Sequence, residues 1–198
     1  MTKLEDIPFQ KPKNGYAPAE DSWLLVQTVQ DYAQNIRGKK CLDMGCGSGI
    51  QTAAMLLHQA KEVVCADINP HALPATQKMV EKYFPNTDVK YVESDLFARI
   101  NEQFDIIVFN PPYVPSDEIK WVETDGGESG RAVIDRFLDQ FPPYLKKNGE
   151  CYLLQSSLNG IQTTTRKIEK MGMKAKITAK QKLAFEELIV LKIQFIQP

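Results

Sequence analysis

The residue types best suited to chemistry stand in two short segments, 43–49 and 110–113. The first reads Asp-Met-Gly-Cys-Gly-Ser-Gly, and its glycines permit a tight turn that lets a ligand approach the backbone closely. The G-x-G-x-G spacing differs from the dinucleotide pattern G-x-G-x-x-G, and the carboxylate of Asp43 would repel a pyrophosphate. The segment therefore favours a cationic or hydroxyl-bearing ligand, and S-adenosylmethionine carries an ammonium, a sulfonium and ribose hydroxyls.

Two further carboxylates follow at intervals that suit an adenosine. Asp67 lies 22 residues after Gly45, close to the offset of about 20 residues at which an acid binds ribose hydroxyls. Asp95 precedes Leu96, so that the carboxylate can accept from an adenine amine while the leucine covers the ring. The structural alternatives are a plain glycine turn, a helix cap at Asp67 and a solvated Asp95. Because the three acids follow successive predicted strands, at the edge where α/β sheets bind ligands, we predict one cofactor site.

The second segment, Asn110-Pro111-Pro112-Tyr113, offers hydrogen-bond acceptors. Its two prolines fix the backbone and remove two N–H donors, which leaves the Pro111 carbonyl beside the Asn110 side-chain oxygen. Two such acceptors suit the NH₂ of a planar group. Accepting its two hydrogens draws the nitrogen toward tetrahedral geometry, so that its lone pair points at a methyl donor. Positioning of this kind is worth about 7–11 kcal/mol and needs no strong base. Tyr113 is placed to stack on the substrate plane, and a proline turn that merely ends a strand is the structural alternative.

Helix-like and strand-like patterns alternate around these segments. Helical spacing of apolar residues covers 20–36, 50–60, 69–84, 131–145 and 161–171, with a break at Pro142-Pro143 as the alternative for the fourth helix. Strand-like runs cover 40–44, 62–68, 88–92, 104–110, 150–156, 174–179 and 187–196. Asn69-Pro70 is typical of an N-cap and first helical residue. The alternation predicts a Rossmann-like α/β fold: a seven-stranded, mostly parallel sheet with helices on both faces and an antiparallel terminal hairpin.

Composition limits the classes of protein that remain. The 198 residues are 43% hydrophobic and 25% charged, which excludes a wholly disordered chain and fits one domain over 1–198. We expect an N-terminal arm over 1–19 and a substrate loop over 111–130. No long apolar run or signal core is present, so we expect a cytoplasmic protein without a membrane partner. The net charge of −1 provides no basic field, and no direct nucleic-acid partner is expected.

The cysteines and histidines do not form a recognisable metal site. Cysteines 41, 46, 65 and 151 make no C-x-x-C pair and predict buried free thiols. His58 and His71 lie in helix-like stretches, away from any cysteine pair. We therefore predict no metal ion bound by this chain.

These motifs resemble those of the HemK-related methyltransferases, in the short eukaryotic and archaeal form without the N-terminal helical domain of bacterial relatives. The resemblance runs from Tyr16 to Ile193. It rests on segments 16–22, 43–49, 67–70, 95–96, 110–114 and 126–131. The Asn-Pro-Pro-Tyr tetrad is shared with adenine and guanine amino-methyltransferases. Segment 20–22, Glu-Asp-Ser, and the glycine-rich stretch 121–131 are more diagnostic of this subfamily.

The resemblance implies a class I S-adenosyl-L-methionine-dependent methyltransferase that modifies a glutamine side-chain amide in the Gly-Gly-Gln motif of a class I translation release factor. The implied cofactor contacts are Ser22, Asp43, Gly45, Asp67, Asp95, Leu96 and Asn110, and we add Gly47 from the same glycine loop. The implied catalytic residues are Asn110, Pro111, Pro112 and Tyr113. Related sequences often carry Thr at position 22 and Glu at position 43. Short relatives often pair with a small zinc-binding activator subunit.

Other functions stay open at this level: a nucleic-acid adenine amino-methyltransferase, a protein lysine methyltransferase and a non-catalytic binding module. The loop after the tetrad would repel phosphates, because it carries Asp117, Glu118, Glu123, Asp125 and Glu128 against Lys120. The clamp of two acceptors suits an ammonium poorly, and the full set of acids argues against a binding module. We expect the acidic loop to steer a basic protein loop. We also expect the strand at 88–92 to lie at a sheet edge, where an activator adds a strand.

Overall fold

A computed structural model describes residues 3–118 and 120–197, and in these residues one seven-stranded sheet is flanked by helices. The strands are β1 (Lys40–Met44), β2 (Glu62–Asp67), β3 (Val89–Glu93), β4 (Phe104–Phe109), β5 (Leu145–Ser156), β6 (Met173–Lys182) and β7 (Glu187–Phe195). The helices are α1 (Glu20–Asp31), α2 (Ala33–Ile36), α3 (Ile50–Leu57), α4 (Ala72–Tyr83), α5 (Ala132–Gln140) and α6 (Ile161–Lys170). Within those two described ranges, every helix falls short of the length and apolar character needed to cross a bilayer.

The strand order is β3-β2-β1-β4-β5-β7-β6. Pairing is parallel from β3 through β5, and β7 runs antiparallel to both β5 and β6. The predicted seven-stranded sheet, its antiparallel terminal hairpin and the edge position of the third strand are all confirmed. Because β1, β2 and β4 are parallel neighbours, their carboxyl ends meet at one edge of the sheet.

Apolar layers cover both faces of the sheet, as the continuous apolar strands predict. On one face, Cys41 of β1 belongs to a buried cluster that includes residues of α1, α3 and α4. On the other, Leu42 belongs to a cluster with Phe137 of α5 and Ile168 of α6. All four cysteines are buried and free, which confirms the prediction of reduced thiols in the core.

Some element boundaries differ from the predicted ones. The helix expected over 20–36 is interrupted at Tyr32, between α1 and α2. The Asn69 side chain accepts from the His71 N–H (3.0 Å), and this turn delays the start of α4 to Ala72. The helix expected to reach 145 ends at Gln140, before a short 3-10 turn that contains two prolines. Strand β5 begins at 145, earlier than predicted, because a register shift lets residue 145 pair with β4.

Candidate functional site

A cavity of about 610 Å³ opens at the carboxyl ends of β1 to β4, within the range of small-molecule and cofactor sites. Ten of the eleven predicted site residues line it. They are Ser22, Gly45, Gly47, Asp67, Asp95, Leu96, Asn110, Pro111, Pro112 and Tyr113. The remaining residue, Asp43, is not part of the cavity wall. The structure therefore brings together residues from segments that are up to about ninety positions apart in the chain.

The glycine loop is closed by backbone hydrogen bonds to the end of β2. The N–H groups of Gly45 and Cys46 both donate to the Ala66 carbonyl, at 2.7 and 3.1 Å. Gly49 then begins α3 with a φ of +81°, and a Cβ there would lie 2.8 Å from the Met79 side chain. Only glycine meets both requirements, so the loop packs against α4 while its opposite surface lines the cavity.

Asp67 joins the glycine loop to the end of β2. One carboxylate oxygen accepts from the Gly47 N–H (2.8 Å) and the other from the Asn69 N–H (2.8 Å). Burial raises the pKa of this carboxyl, and the backbone donors oppose that shift. A carboxylate offers about four acceptor positions, so two remain for a ligand in the cavity. Asp67 therefore lines the cavity and also supports the turn that leads to α4, although the N-cap of that helix is His71.

Asp43 lies behind the glycine loop, in contrast to its predicted place in the cofactor site. Its Oδ2 accepts from both the backbone N–H (2.9 Å) and the hydroxyl (2.6 Å) of Thr52 in α3. Alternation along β1 turns this side chain toward α3, since Cys41, two positions earlier, faces the same layer. Burial raises the pKa of the Asp43 carboxyl to about 7.

Asp95 and Leu96 stand together at the cavity wall, as the sequence predicts. The Arg136 side chain of α5 donates to the Asp95 carboxylate at 2.6 Å, and both side chains are about half exposed. Leu96 is buried and adopts a φ of +48°. Sequence analysis missed Arg136, because nothing near it in the chain marks it as a cavity residue.

Asp21 is the main polar residue that sequence analysis left without a role. Its Oδ1 accepts from the Ser22 N–H (2.6 Å) and the Tyr16 hydroxyl (3.1 Å). Its Oδ2 accepts from Asn110 Nδ2 (3.1 Å) and the Tyr113 hydroxyl (3.3 Å). Burial, reinforced by the charge of Asp21, raises the pKa of both tyrosines above their usual value, so each hydroxyl keeps its proton and donates. The sequence signal for Asp21 was its place in the Glu-Asp-Ser segment 20–22, which the family resemblance includes without a role for Asp21.

Asn110 and Pro111 carry the two oxygens that we predict as acceptors for a substrate amide. Asn110 Oδ1 is buried and has no hydrogen-bond partner among residues 3–118 and 120–197. In the same described ranges, no hydrogen bond reaches the Pro111 carbonyl. A buried acceptor without a partner costs about 1–3 kcal/mol, and such groups are rare in folded proteins. Both residues line the cavity, and the described residues provide no hydrogen-bond donor to either oxygen.

The segment after the tetrad is held against the strand ends by specific contacts. Asn159 Nδ2 donates to the Tyr113 carbonyl (2.8 Å), and Arg131 donates to Thr164 (2.9 Å). Gly130 has a φ of +67° and no room for a Cβ beside the Tyr113 carbonyl. Sequence analysis missed the role of Asn159, which lies far along the chain from the tetrad.

Asp125 is a structural acid within the predicted acidic loop. Its Oδ2 accepts from the N–H groups of Lys120 (2.8 Å) and Trp121 (2.9 Å), and the Trp121 N–H lowers the pKa of the carboxyl. The acids that remain at the surface are Asp117, Glu118, Glu123 and Glu128. In the part of the chain that the structure describes, no three His, Cys, Asp or Glu side chains are arranged to hold a metal ion.

Comparison with known proteins links this geometry to a family. The family described as Methyltransferase small domain matches residues 19–184. A protein of Methanocaldococcus jannaschii, named as a candidate protein N5-glutamine methyltransferase, is 37% identical over 197 residues, covering 96% of this chain and 97% of that protein. The human methyltransferase HEMK2 is 31% identical over 191 residues, covering 89% of this chain and 88% of the human protein.

A solved structure shows the same fold over nearly the whole chain. A chain of the E. cuniculi Mtq2-Trm112 complex, described as responsible for methylation of the translation termination factor eRF1, matches with a TM-score of 0.76. It is 29% identical, and the match covers 93% of this chain and 100% of that chain. The chain therefore belongs to the methyltransferase small domain family and, within it, to the HemK-related methyltransferases.

Proposed function

We propose that this enzyme transfers a methyl group from S-adenosylmethionine to a glutamine side-chain amide in the Gly-Gly-Gln motif of a class I release factor. The observation that carries the proposal is that Asn110 and Pro111 line the cavity while Asn110 Oδ1 and the Pro111 carbonyl accept from no donor among the described residues. A primary amide has the two N–H donors that this pair requires. Two of the similar proteins described above are named for methylation of glutamine or of eRF1.

The cavity suits S-adenosylmethionine in size and in chemistry. Asp67 would hold the ribose hydroxyls, and Asp95 with Leu96 would hold the adenine amine and ring. Ser22 and the glycine loop would hold the methionine part, whose ammonium favours the acidic wall. When bound, S-adenosylmethionine would supply an electrophilic methyl group, with its sulfur leaving as a neutral thioether.

The residues of the tetrad prepare the amide nitrogen for this methyl transfer. Asn110 Oδ1 and the Pro111 carbonyl accept the two amide hydrogens, which draws the nitrogen lone pair out of conjugation. The same oxygens stabilise the positive charge that develops on nitrogen as the new bond forms. Tyr113 packs on the plane of the amide. A methylated, protonated amide is a strong acid and releases its proton to water, so no side chain has to act as a strong base.

The exposed part of loop 111–130 forms a surface with both acidic and apolar residues beside the cavity. Asp117 and Glu118 are exposed, and Glu123 lines the cavity mouth. Trp121 is 64% exposed in the same loop, and Val122 is 59% exposed. We propose that this surface binds a basic protein loop that also brings apolar side chains. The acids disfavour the phosphates of a nucleic-acid substrate.

The two edges of the sheet differ in how well they resist pairing. The β6 edge carries four lysines, at 174, 176, 180 and 182, which discourage the addition of a strand. The β3 edge is short and carries partly buried Val89, Tyr91 and Val92. We propose that a small zinc-binding activator subunit adds a strand along 88–92. In a purified complex, residues 85–95 should gain protection from hydrogen exchange, and an interface elsewhere would contradict this placement.

Mass spectrometry of the substrate tests the proposed reaction. The enzyme, co-expressed with its activator, should add one methyl group to the Gly-Gly-Gln peptide of the release factor of its own cell, in the cytoplasm where we place it. A release factor with this glutamine replaced by alanine should remain unmodified. Methylation of a lysine instead, or of adenine in an added oligonucleotide, would overturn the assignment.

A further inference from the structure

We propose that Asp21 is a positioning residue that fixes the orientation of the Asn110 amide, so that its oxygen rather than its NH₂ serves the substrate. The inference deepens the proposed function and rests on it, since Asn110 Oδ1 is there the acceptor for the substrate amide. The orientation of the Asn110 side-chain amide can be measured whatever the substrate is.

The orientation follows from what a carboxylate can and cannot do. A carboxylate accepts hydrogen bonds and has no proton to give, whereas the Asn amide has one accepting and one donating end. Asn110 Nδ2 lies 3.1 Å from Asp21 Oδ2. Turning the amide over would place Oδ1 against the carboxylate, with two acceptors and no hydrogen between them. Asp21 therefore leaves one favourable orientation, in which Oδ1 is the free acceptor.

The environment of Asp21 makes this preference strong. The residue is only 4% exposed, so water cannot readily screen a reversed amide. Its second oxygen is committed to the Ser22 N–H and the Tyr16 hydroxyl. The Tyr113 hydroxyl also donates to Oδ2, beside Asn110. One carboxylate thus ties the start of α1 to the tetrad, 89 positions along the chain.

Asp21→Asn should lower the turnover number by about 10- to 100-fold while the KM for the cofactor changes less than threefold. The replacement has the same size, but its amide can accept or donate, so the Asn110 amide would populate both orientations. In the reversed orientation, the NH₂ group of Asn110 faces the NH₂ group of the substrate amide, so that two donors meet without an acceptor. Asp31→Asn, at the exposed end of the same helix, is the matched control and should match the parent.

An exchange of the two residues separates orientation from structural support. Asn110→Asp alone places two carboxylates about 3 Å apart and should be nearly inactive. In the double variant Asp21→Asn/Asn110→Asp, the amide at position 21 donates to the carboxylate at position 110. The second oxygen of that carboxylate then remains an acceptor for the substrate. The double variant should turn over at least about fivefold faster than Asn110→Asp. Equal or lower turnover would overturn the proposal.

The Asn110 side-chain NH₂ signal in NMR gives a readout that needs no substrate. The signal is assigned by its loss in Asn110→Ala. In the parent its two protons should be widely separated and slow to exchange with solvent, because one is bonded to a carboxylate. Asp21→Asn should bring the two signals together and speed their exchange. An unchanged signal, or turnover within twofold of the parent, would show that Asp21 does not set the orientation.

The two proposals can fail separately. If the parent enzyme leaves the release factor unmodified while the NMR signal responds as expected, the proposed function is wrong and the orientation of Asn110 stands. If the release factor is methylated and the double variant turns over no faster than Asn110→Asp, the proposed function stands and the role of Asp21 is wrong. Thermal unfolding of each variant with and without cofactor shows whether a loss of turnover reflects a loss of fold.

Discussion

The cavity has one end at which we propose that the cofactor binds, the cofactor end, and one at which we propose that the substrate binds, the substrate end. The two differ in how the chain uses its polar groups. At the cofactor end, both oxygens of Asp67 already accept from backbone N–H groups, those of Gly47 and Asn69. At the substrate end, Asn110 Oδ1 and the Pro111 carbonyl have no partner among the described residues. The carboxylate at the cofactor end is therefore already hydrogen-bonded to nearby backbone. The substrate end, in contrast, has acceptors to which no described residue donates. Groups that act mainly in the transition state belong at the second end.

Replacing Asn110 should give the largest effect, because it removes one of the acceptors at the substrate end. Asn110→Ala should lower the turnover number on the order of 10²- to 10³-fold, with a much smaller change in the dissociation constant of the cofactor. Asn101→Ala, at an exposed position, is the control. Turnover measured with release factor, together with calorimetric titration of the cofactor, separates the two quantities. Turnover within tenfold of the parent would place Asn110 outside the substrate clamp.

Replacing Asp67 should have the opposite pattern. Asp67→Ala should raise the dissociation constant of the cofactor by about 10- to 150-fold, the equivalent of a charge-assisted hydrogen bond worth about 1.5–3 kcal/mol. Turnover at saturating cofactor should fall less. The ligand-free variant should also melt earlier, since the Gly47 and Asn69 N–H groups lose their acceptor. Asp31→Ala, at an exposed acid away from the cavity, controls for the change of charge. An unaltered dissociation constant would leave Asp67 with a purely structural role.

Asp43 tests whether the cofactor end extends behind the glycine loop. Its pKa of about 7 lies above the usual 3.8 of a carboxyl, so between these values the folded protein holds a proton that the unfolded chain releases. The stability of the parent should therefore fall as the pH rises from about 4 to about 7. An amide at this position is neutral at every pH, so we expect Asp43→Asn to be more stable than the parent by about 2 kcal/mol at pH 8 and by less at pH 5.

Urea unfolding at the two pH values measures that difference, with the exposed Asp139→Asn as control. Because Asp43 is outside the cavity wall, the cofactor dissociation constant should change less than about threefold, well below the effect expected for Asp67. A larger change would restore the contact that the family resemblance implies. A stability difference that does not depend on pH would show that the carboxyl is ionised in the folded protein.

Local patterns predicted the parts of the site that one segment builds by itself. The glycine loop follows from residue type, because positive φ values and close packing at Gly49 admit little else. The end of β4 follows from its apolar run and the two prolines after it. The parallel pairing and the common edge of the strand ends follow from alternation of helix and strand. The edge position of the third strand was expected from the usual strand order of this fold. These features depend on short-range sterics and periodicity, which the sequence displays directly.

Contacts between distant segments could not be predicted in the same way. Asp21 and Asn110 are neighbours because the start of α1 lies beside the residue that follows β4, and no periodicity relates the two positions. The pairing of Arg136 with Asp95 has the same character. The place of Asp43 behind the cavity wall follows from alternation along β1, which the prediction from the motif did not take into account. At the substrate end, Asn110 and Tyr113 are held by Asp21 from a distant segment. At the cofactor end, Asp67 is held mainly by backbone N–H groups of the neighbouring loops.

The acidic loop should give the smallest effect, because exposed charges act weakly and at a distance. We expect the triple variant Asp117→Asn/Glu118→Gln/Glu123→Gln to raise the KM for the release factor a few-fold at low salt, with little change in turnover number. Exposed pairs contribute about 0.2–1 kcal/mol each, and salt screens them beyond a Debye length of about 8 Å. Asp125 is left intact, since its carboxylate holds the loop through Lys120 and Trp121.

The salt dependence distinguishes steering from a general loss of charge. The KM of the parent should rise steeply with salt, whereas that of the triple variant should be nearly flat, so that the two converge at high ionic strength. A control variant with the same change in net charge, Asp31→Asn/Asp139→Asn/Glu169→Gln, removes exposed acids away from the cavity and should keep the salt dependence of the parent. If the loop variant and this control behave alike at every salt concentration, the loop acids are solvated surface. The substrate end would then recognise its partner through the tetrad and the exposed Trp121 instead.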